Sequence, residues 1–263
     1  MSTTKSPEPT VPTSPAANAP APAAQAWWAQ TRIELVLTIR RGESVLLTFL
    51  LPVLILGFFS MVDVLPTGTE DPVDFLFPGV LALAVMSSAL VSVAIATGFE
   101  RQSGVLKRLG STPLTRGQLL AAKTAAVVVI EILQAMLLIG QGLLLGYRFA
   151  GPDVGAALLA AVLATIAFAG LGLLLAGTLP ALTTLAAANG LYLVLLLLSG
   201  MVVPLSKLPA GLRAFAQALP SGALAEVFHG ALGPAAIPTR AWVVLAVWAV
   251  VGPLLASRLF RWE

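Results

Sequence analysis

Cysteine is absent from this sequence, and histidine occurs only once, at His229. Without cysteine the chain can form no disulfide, no thiolate metal site and no cysteine nucleophile. A structural metal site needs about four ligands, and His229 has only Glu226 close to it in the sequence. We therefore expect this chain to hold no metal and no cofactor of its own.

A phosphate-binding loop is also missing. The pattern G-x-x-x-x-G-K-[ST], whose backbone amides cradle the phosphates of ATP, does not occur in the chain. The chain therefore cannot bind ATP by that route. Any ATP and Mg²⁺ that drive it are expected on a different polypeptide.

Charged side chains are scarce, because Asp, Glu, Lys and Arg together make up 10% of the residues. A soluble domain carries about 25%. Several apolar runs reach about 20 residues, which is the length that a helix needs to cross a bilayer. The sequence thus predicts an all-α integral membrane protein with six transmembrane helices. The predicted spans are approximately 45–65, 75–97, 119–145, 154–179, 181–203 and 241–259.

Three segments lie outside these spans. Residues 1–26 are rich in Ala and Pro and have too little apolar surface to fold, so we expect a disordered tail that precedes one membrane domain, 27–263. Residues 27–41 combine two tryptophans with apolar and arginine residues, which favours a helix in the membrane interface or an extension of the first span. Prolines interrupt residues 204–240, which predicts two short helices that form a re-entrant hairpin.

The basic residues are unevenly distributed along the predicted topology. Most of them lie on the side that contains both termini and the loop 98–118, which the positive-inside rule places in the cytoplasm. The acidic loop 66–74 and the 204–240 hairpin are then external. This asymmetry explains the net charge of +3 without nucleic-acid binding. The basic residues of the cytoplasmic side are Lys5, Arg32, Arg40, Arg41, Arg101, Lys107, Arg108, Arg116, Lys123, Arg258 and Arg261.

A charged island, residues 97–123, separates two long apolar runs. On a helix, Glu100 and Arg101 would recur two turns later as Lys107 and Arg108, so a short amphipathic helix could show these charges to the cytosol. An ordinary positive loop is the alternative. The order E-R-x-x-G-x-L-x-R-L-x-x-T-P-L resembles the cytoplasmic loop of ABC-2 type transporter permeases. It is formed here by Glu100, Arg101, Gly104, Leu106, Arg108, Leu109, Thr112, Pro113 and Leu114.

That resemblance implies a docking loop for a separate ATPase subunit. The coupling residues that it implies are Glu100, Arg101, Gly104, Lys107, Arg108, Thr112 and Pro113. The segment P-L-x-x-L-P after the fifth span resembles the external segment of the same family, which shuts the outer end of the path. The implied external gate consists of Pro204, Leu208, Pro209, Phe215 and Pro220. A passive surface hairpin is the alternative.

A polar stripe marks the third predicted span. Glu131, Gln134 and Gln141 share one helical side, and Asn189 and Tyr192 in the fifth span are possible partners. A carboxylate at this depth is costly, so Glu131 should face protein or water. The stripe is compatible with a translocation path, a proton site, or a neutral carboxyl that joins helices or protomers.

The family resemblance implies the permease subunit of an ATP-driven exporter in a bacterial plasma membrane. It implies two ATPase copies, a second permease in a homodimer or a heterodimer, and a lipophilic cargo such as a drug, natural product, lipid or lipid-linked glycan. An ion-coupled secondary transporter that uses Glu131 remains an alternative. A membrane sensor or anchor that transports nothing is another.

Overall fold

The described helices follow one another with short connections. The computed structural model describes residues 23–40, 42–62, 71–105, 116–149 and 151–260. Within these ranges all regular structure is helical. The helices are α1 (Ala23–Arg40), α2 (Gly42–Met61), α3 (Pro72–Met86), α4 (Val93–Gln102), α5 (Arg116–Leu144), α6 (Val154–Thr178), α7 (Ala181–Ser199), α8 (Ala210–Ala218), α9 (Pro220–Leu232) and α10 (Thr239–Leu259).

Some predictions fall on residues outside these ranges. They concern residues 1–22 of the predicted disordered tail, residues 66–70 of the acidic loop, and four of the seven coupling residues. The four are Lys107, Arg108, Thr112 and Pro113.

Five helices in the described part of the chain are long and apolar enough to cross a membrane. They are Pro72–Gln102, Ala121–Leu144, Val154–Thr178, Ala181–Ser199 and Thr239–Leu259. The helix α2 covers most of the predicted first span with 20 residues, which include the apolar stretch Thr48–Met61. The predicted all-helical membrane class is confirmed, while the arrangement as six spans stays a prediction.

The second predicted span is part of one continuous helix of 31 residues. A π-helical segment, Ser87–Ser92, joins α3 to α4 within it. Its most apolar stretch is 72% buried, the highest share among the five candidate spans. The bundle is thus built around this helix, which α2, α5, α6, α7 and α9 all contact.

The helices α6 and α10 make the most extensive pairing among the described helices. A Cβ atom on Gly170 would lie 2.5 Å from the backbone of Gly252, and one on Gly252 would lie 2.8 Å from the Ala167 carbonyl oxygen. Only glycine permits this separation, because any side chain would push the two backbones apart. The contact fixes α10 along α6 and aligns the carboxyl ends of both helices at the same end of the bundle.

The Pro-rich segment forms a 3-10 turn, Leu205–Lys207, followed by the two short helices α8 and α9. Pro209 precedes α8, and Pro220 is the first residue of α9, a position where its missing N–H costs nothing. The prediction of two short helices here is confirmed. Most of α9 is buried, whereas α8 lies at the surface.

Candidate functional site

Three charged side chains from three helices meet at the end of the bundle where the island begins. The Lys123 Nζ atom of α5 lies 3.0 Å from the Glu34 carboxylate of α1 and 2.5 Å from Glu100 Oε2 of α4. The Gln30 amide donates a further hydrogen bond of 2.9 Å to Glu34 Oε1. We call Glu34, Glu100 and Lys123 the ion cluster. It joins α1, α4 and α5 through charged groups.

The ion cluster is buried, since its three residues are only 6–7% exposed. Taking charges out of water is costly, and the mutual attraction of the opposite charges offsets that cost only with close contacts. The sequence predicted that Glu100 presents its charge to the cytosol. In the structure Glu100 points inward. There Lys123 on the neighbouring helix stabilises the carboxylate charge, as water would do at the surface.

The next island residue, Arg101, binds a different part of the bundle. Its guanidinium donates a 2.5 Å hydrogen bond to the Leu179 carbonyl oxygen, in the short turn between α6 and α7. The Thr184 hydroxyl also donates to this oxygen, at 3.2 Å. Arg101 thus supplies a donor for a helix end whose carbonyls have no intrahelical partner. The start of the island is held to two further helices.

Residues 102–105 of the island, which directly follow Arg101, lie at the surface. Gly104 has φ +72°, which favours glycine, and no atom lies within 4 Å of the position that a Cβ would take. Gln102, Ser103 and Val105 are exposed around it. We call residues 102–105 the island edge. Its open glycine would let another surface approach the backbone closely.

A cavity of about 540 Å³ lies next to the ion cluster. Residues from α1, α2, the π segment, α4, α5 and α7 line it, and they include Lys123, Thr97 and Asn189. Its size is within the range of about 300–1,000 Å³ that is usual for small-molecule sites. Asn189 belongs to its exposed rim, and its amide donates only to Leu185 within the described residues.

Glu131 is buried and is bound to α6. The Thr165 hydroxyl oxygen lies 2.9 and 2.8 Å from the two carboxyl oxygens of Glu131, and 2.8 Å from the Ala161 carbonyl oxygen. A threonine hydroxyl has one proton to donate. If Thr165 donates this proton to the Ala161 carbonyl oxygen, the Thr165 oxygen can only accept from Glu131. A protonated Glu131 carboxyl would supply the proton for that hydrogen bond. Of the predicted partners, Asn189 lies at the cavity, and the buried Tyr192 hydroxyl bonds to nothing in the described ranges.

The two glutamines of the polar stripe bind α2. Gln134 donates to the Thr48 carbonyl oxygen at 2.9 Å and accepts from the Ser88 hydroxyl at 2.6 Å. Pro52 has no N–H, so the Thr48 carbonyl, four residues earlier, lacks its helical donor. Gln141 donates to the Val53 carbonyl at 2.8 Å. The stripe therefore joins α5 to α2 and α6 within one chain. Its role in a translocation path or at a protomer interface stays a prediction.

The opposite end of the bundle has a second polar group of residues. Glu226 of α9 pairs with Arg240 of α10 at 2.5 Å and accepts a 3.2 Å hydrogen bond from the Gln217 amide of α8. Arg240 also donates to Gln217. We call these three residues the outer cluster. Burial raises the pKa of Glu226, while the charge of Arg240 lowers it.

His229 ties α9 to α3 beside the outer cluster. Its Nδ1 lies 2.7 Å from the Ala225 carbonyl oxygen and its Nε2 lies 3.0 Å from the Phe75 carbonyl oxygen. Burial lowers the pKa of His229. A neutral ring has only one N–H, so it can donate to only one of these two oxygens at a time. Among the described residues, no group of three His, Asp or Glu side chains could hold a metal ion.

The residues of the implied external gate occupy different environments. Arg213 donates to the carbonyls of Leu205, Ser206 and Leu208, which shapes the loop that contains Pro204 and Leu208. Phe215 is 57% exposed on α8, whereas Pro220 is buried. The Trp248 indole donates to the Ala218 carbonyl at 3.0 Å. Pro209 directly precedes α8 and Pro220 begins α9. The role of the five residues as a gate stays a prediction.

Sequence reasoning missed Glu34, Thr97, Thr165 and the role of Lys123. Glu34 is the one acidic residue of α1 and has apolar neighbours on both sides, which was a usable signal, since a charged side chain that becomes buried needs a partner. Lys123 was counted only as a positive charge of the cytoplasmic side. Neither Thr97 nor Thr165 has a sequence signal, because a helical threonine can satisfy its hydroxyl locally.

The fold and these contacts define a multi-pass helical membrane protein whose polar side chains bind one another inside the bundle. The ABC-2 type transporter family model matches residues 25–232 of the chain. A comparison of the chain with curated proteins found no match. Because the family match covers more than half of the chain, this protein belongs to the ABC-2 type transporter family. It is accordingly a membrane permease of a transporter rather than a catalytic chain.

Proposed function

We propose that this chain is the membrane subunit of an ATP-driven exporter, powered by a separate ATPase subunit. The observation that carries the proposal is the family match over residues 25–232, which includes the whole island. ATP and Mg²⁺ are held by the partner. The chain contributes the path, and its coupling to ATP hydrolysis is conformational.

The ATPase docks on the island edge and on the loop that follows it. Glu100 and Arg101 anchor the start of the island to α1, α5 and the turn between α6 and α7. Displacement of the edge therefore moves several helices together. Gly104 supports this role by leaving its surroundings open. Lys107, Arg108, Thr112 and Pro113 are proposed to contact the ATPase on the strength of the motif alone.

Two permease copies and two ATPase copies form the working assembly in a bacterial plasma membrane. Both termini and the island are cytoplasmic, α2 is the first of six spans, and residues 204–240 form the external re-entrant hairpin. The large exposed apolar side chains on α2, α5 and α7 support contact with lipid or with the second copy. The hairpin opens to release a lipophilic cargo outward.

The test is co-purification of the chain with an ATPase from native membranes, followed by ATP hydrolysis and transport in proteoliposomes. Val105→Asp places a charge on the exposed island edge and should reduce stimulated hydrolysis about tenfold or more if docking fails. Leu212→Asp is the matched control, because Leu212 is exposed to a similar extent on α8, at the other end of the bundle. It should leave hydrolysis unchanged.

Charge reversal at Glu100 is unsuitable for this test, because Glu100→Lys would put a second cation beside Lys123 in a buried place. The variant should therefore lose stability as well as coupling.

Transport that persists without ATP and stops when the proton gradient is removed would contradict the proposed exporter and favour an ion-coupled secondary transporter. Hydrolysis that moves no cargo would favour a sensor or anchor.

A further inference from the structure

We propose that the cavity beside the ion cluster binds a neutral amphipathic molecule, which places an apolar body against α2 and α5 and a carbonyl or hydroxyl oxygen near Thr97. The inference rests on the proposed function, since it gives the chemical class of the cargo. The cavity holds about 540 Å³.

The polar atom that points to a ligand is the Thr97 hydroxyl. Thr97 is 2% exposed, lines the cavity, and its Oγ1 has no hydrogen-bond partner among the described residues. Four other helical threonines among the described residues donate to the carbonyl four residues earlier. They are Thr31, Thr38, Thr165 and Thr178. Thr97 does not use this local partner, so its donor is available to a molecule in the cavity.

The ion cluster decides the charge of that molecule. Lys123 and Glu34 line the cavity, but each already binds an opposite charge. An anionic group would have to displace a carboxylate from Lys123, and a cationic group would have to displace Lys123 from the carboxylates. Both exchanges break a buried ion pair, which is unfavourable. Lys123 has three N–H donors, and within the described residues Glu34 and Glu100 take two of them. The site thus offers donors, and a neutral oxygen acceptor is the group that fits.

The walls and the mouth of the cavity account for the apolar body. Phe49 of α2 and Val127 and Ile130 of α5 are among the apolar residues that line it. Phe99 of α4 and Leu185 of α7 also line the cavity and are each 38% exposed, so we place its opening between these two helices. An amphipathic molecule could enter there from the membrane with its oxygen leading.

Photolabelling of the intact transporter complex in phosphatidylcholine nanodiscs tests the inference. The probe is a diazirine-bearing long-chain alcohol, with a long-chain ammonium and a long-chain sulfonate that carry the same diazirine as charged counterparts. The alcohol should label peptides that contain Thr97 or Val127, and both charged probes should label them at least about tenfold less.

Three variants separate the hydroxyl from general packing. Thr97→Val should weaken binding of the alcohol about tenfold, which is the usual size of one lost hydrogen bond. Thr97→Ser should bind like the wild type. Thr178→Val is the matched control, because Thr178 lies outside the cavity and bonds within its own helix.

Equal labelling by the neutral and charged probes would overturn the inference. So would unchanged binding in Thr97→Val, or labelling confined to peptides outside the cavity, as expected if water or a second copy of the chain fills the site. The proposed function is judged separately by co-purification. If the probe does not bind while the ATPase still co-purifies, only the proposed cavity site is rejected. If no ATPase co-purifies, the proposed exporter function is rejected even if the probe binds.

Discussion

The two ends of the bundle both contain a group of charged residues, but the groups differ in exposure. The side chains of the ion cluster are 7–9% exposed, whereas those of Arg240 and Glu226 in the outer cluster are 45% and 16% exposed. Water can take the place of Glu226 around Arg240, and it cannot do so around Lys123. The first group is therefore a firm joint between helices, and the second can be broken at small cost.

This difference suits the two proposed tasks. In the proposed mechanism, the end beside the island transmits movement from an ATPase. The buried cluster suits this task because it keeps α1, α4 and α5 in fixed relative positions. The other end has to let a hairpin open, and a partly exposed pair between α9 and α10 can separate into water. The predictions below test the contrast between the clusters and their surroundings.

The largest effect is expected for Lys123→Met, which removes the buried cation that Glu34 and Glu100 share. Loss of one partner from a buried ion pair costs about 3–5 kcal/mol. The free energy of unfolding, measured by titration with a denaturing detergent in mixed micelles, should fall by that amount. Adding Glu34→Gln and Glu100→Gln to this variant should restore much of the loss. A loss similar to that of Arg240→Met would show that the two clusters are equivalent.

A smaller loss is expected for Gln134→Leu. Ser88 and the Thr48 carbonyl would lose their partner in a buried place, which costs about 1–3 kcal/mol. The same unfolding measurement applies. Gln141→Leu is the matched control. Gln141 makes one hydrogen bond, to α2, whereas Gln134 makes hydrogen bonds to both α2 and the π segment. The Gln141→Leu variant should therefore lose about half as much stability as Gln134→Leu. If both variants are neutral, polar contacts do not hold α2 in place.

Glu131→Gln should change the free energy of unfolding by less than about 1 kcal/mol, because a neutral amide can still donate to the Thr165 hydroxyl. Glu131→Leu cannot do so, and it should be less stable than Glu131→Gln. Transport by Glu131→Gln should be retained if the carboxyl only joins α5 to α6. Loss of transport with unchanged stability would instead support the proton-site alternative.

Arg240→Met should cost only about 0–1 kcal/mol, because the Glu226 side chain that is left behind is 16% exposed and keeps its hydrogen bond from Gln217. The measurement is the same detergent titration. Trp248→Phe is a matched change in the same contact region, since it removes the indole N–H that Ala218 accepts. A loss of more than about 3 kcal/mol for Arg240→Met would place the outer cluster in the same class as the buried one.

The pH dependence of the outer cluster should be the mildest effect. Because burial raises the pKa of Glu226 above 4.5, the folded protein holds that proton more tightly than the unfolded chain does. The contribution of Glu226 to stability is therefore fully present below pH 4.5 and declines as pH rises through its folded pKa. Glu226→Gln should flatten this part of the curve of melting temperature against pH. An unchanged slope would assign the pH dependence to another group.

Several features could be predicted from the sequence because they depend on neighbouring residues. Low charge and long apolar runs predict membrane helices, and the prolines between residues 204 and 240 predict two short helices in place of a long one. The order of residues in the island indicated the family, which the family match confirmed. The roles of the individual coupling and gate residues stay predictions.

Other features depended on which helices pack together. The sequence could not tell whether Glu100 faces outward or inward, because the answer lies with Lys123 and with Glu34, on a helix far away in the sequence. In the same way Gln134 serves a carbonyl that Pro52 leaves open, and Glu131 meets Thr165 in place of Asn189 or Tyr192. The sequence by itself determined a helical membrane permease with a charged island. Only the tertiary structure decided which polar groups are buried and which partners they bind, because burial and distance arise when separate helices come together.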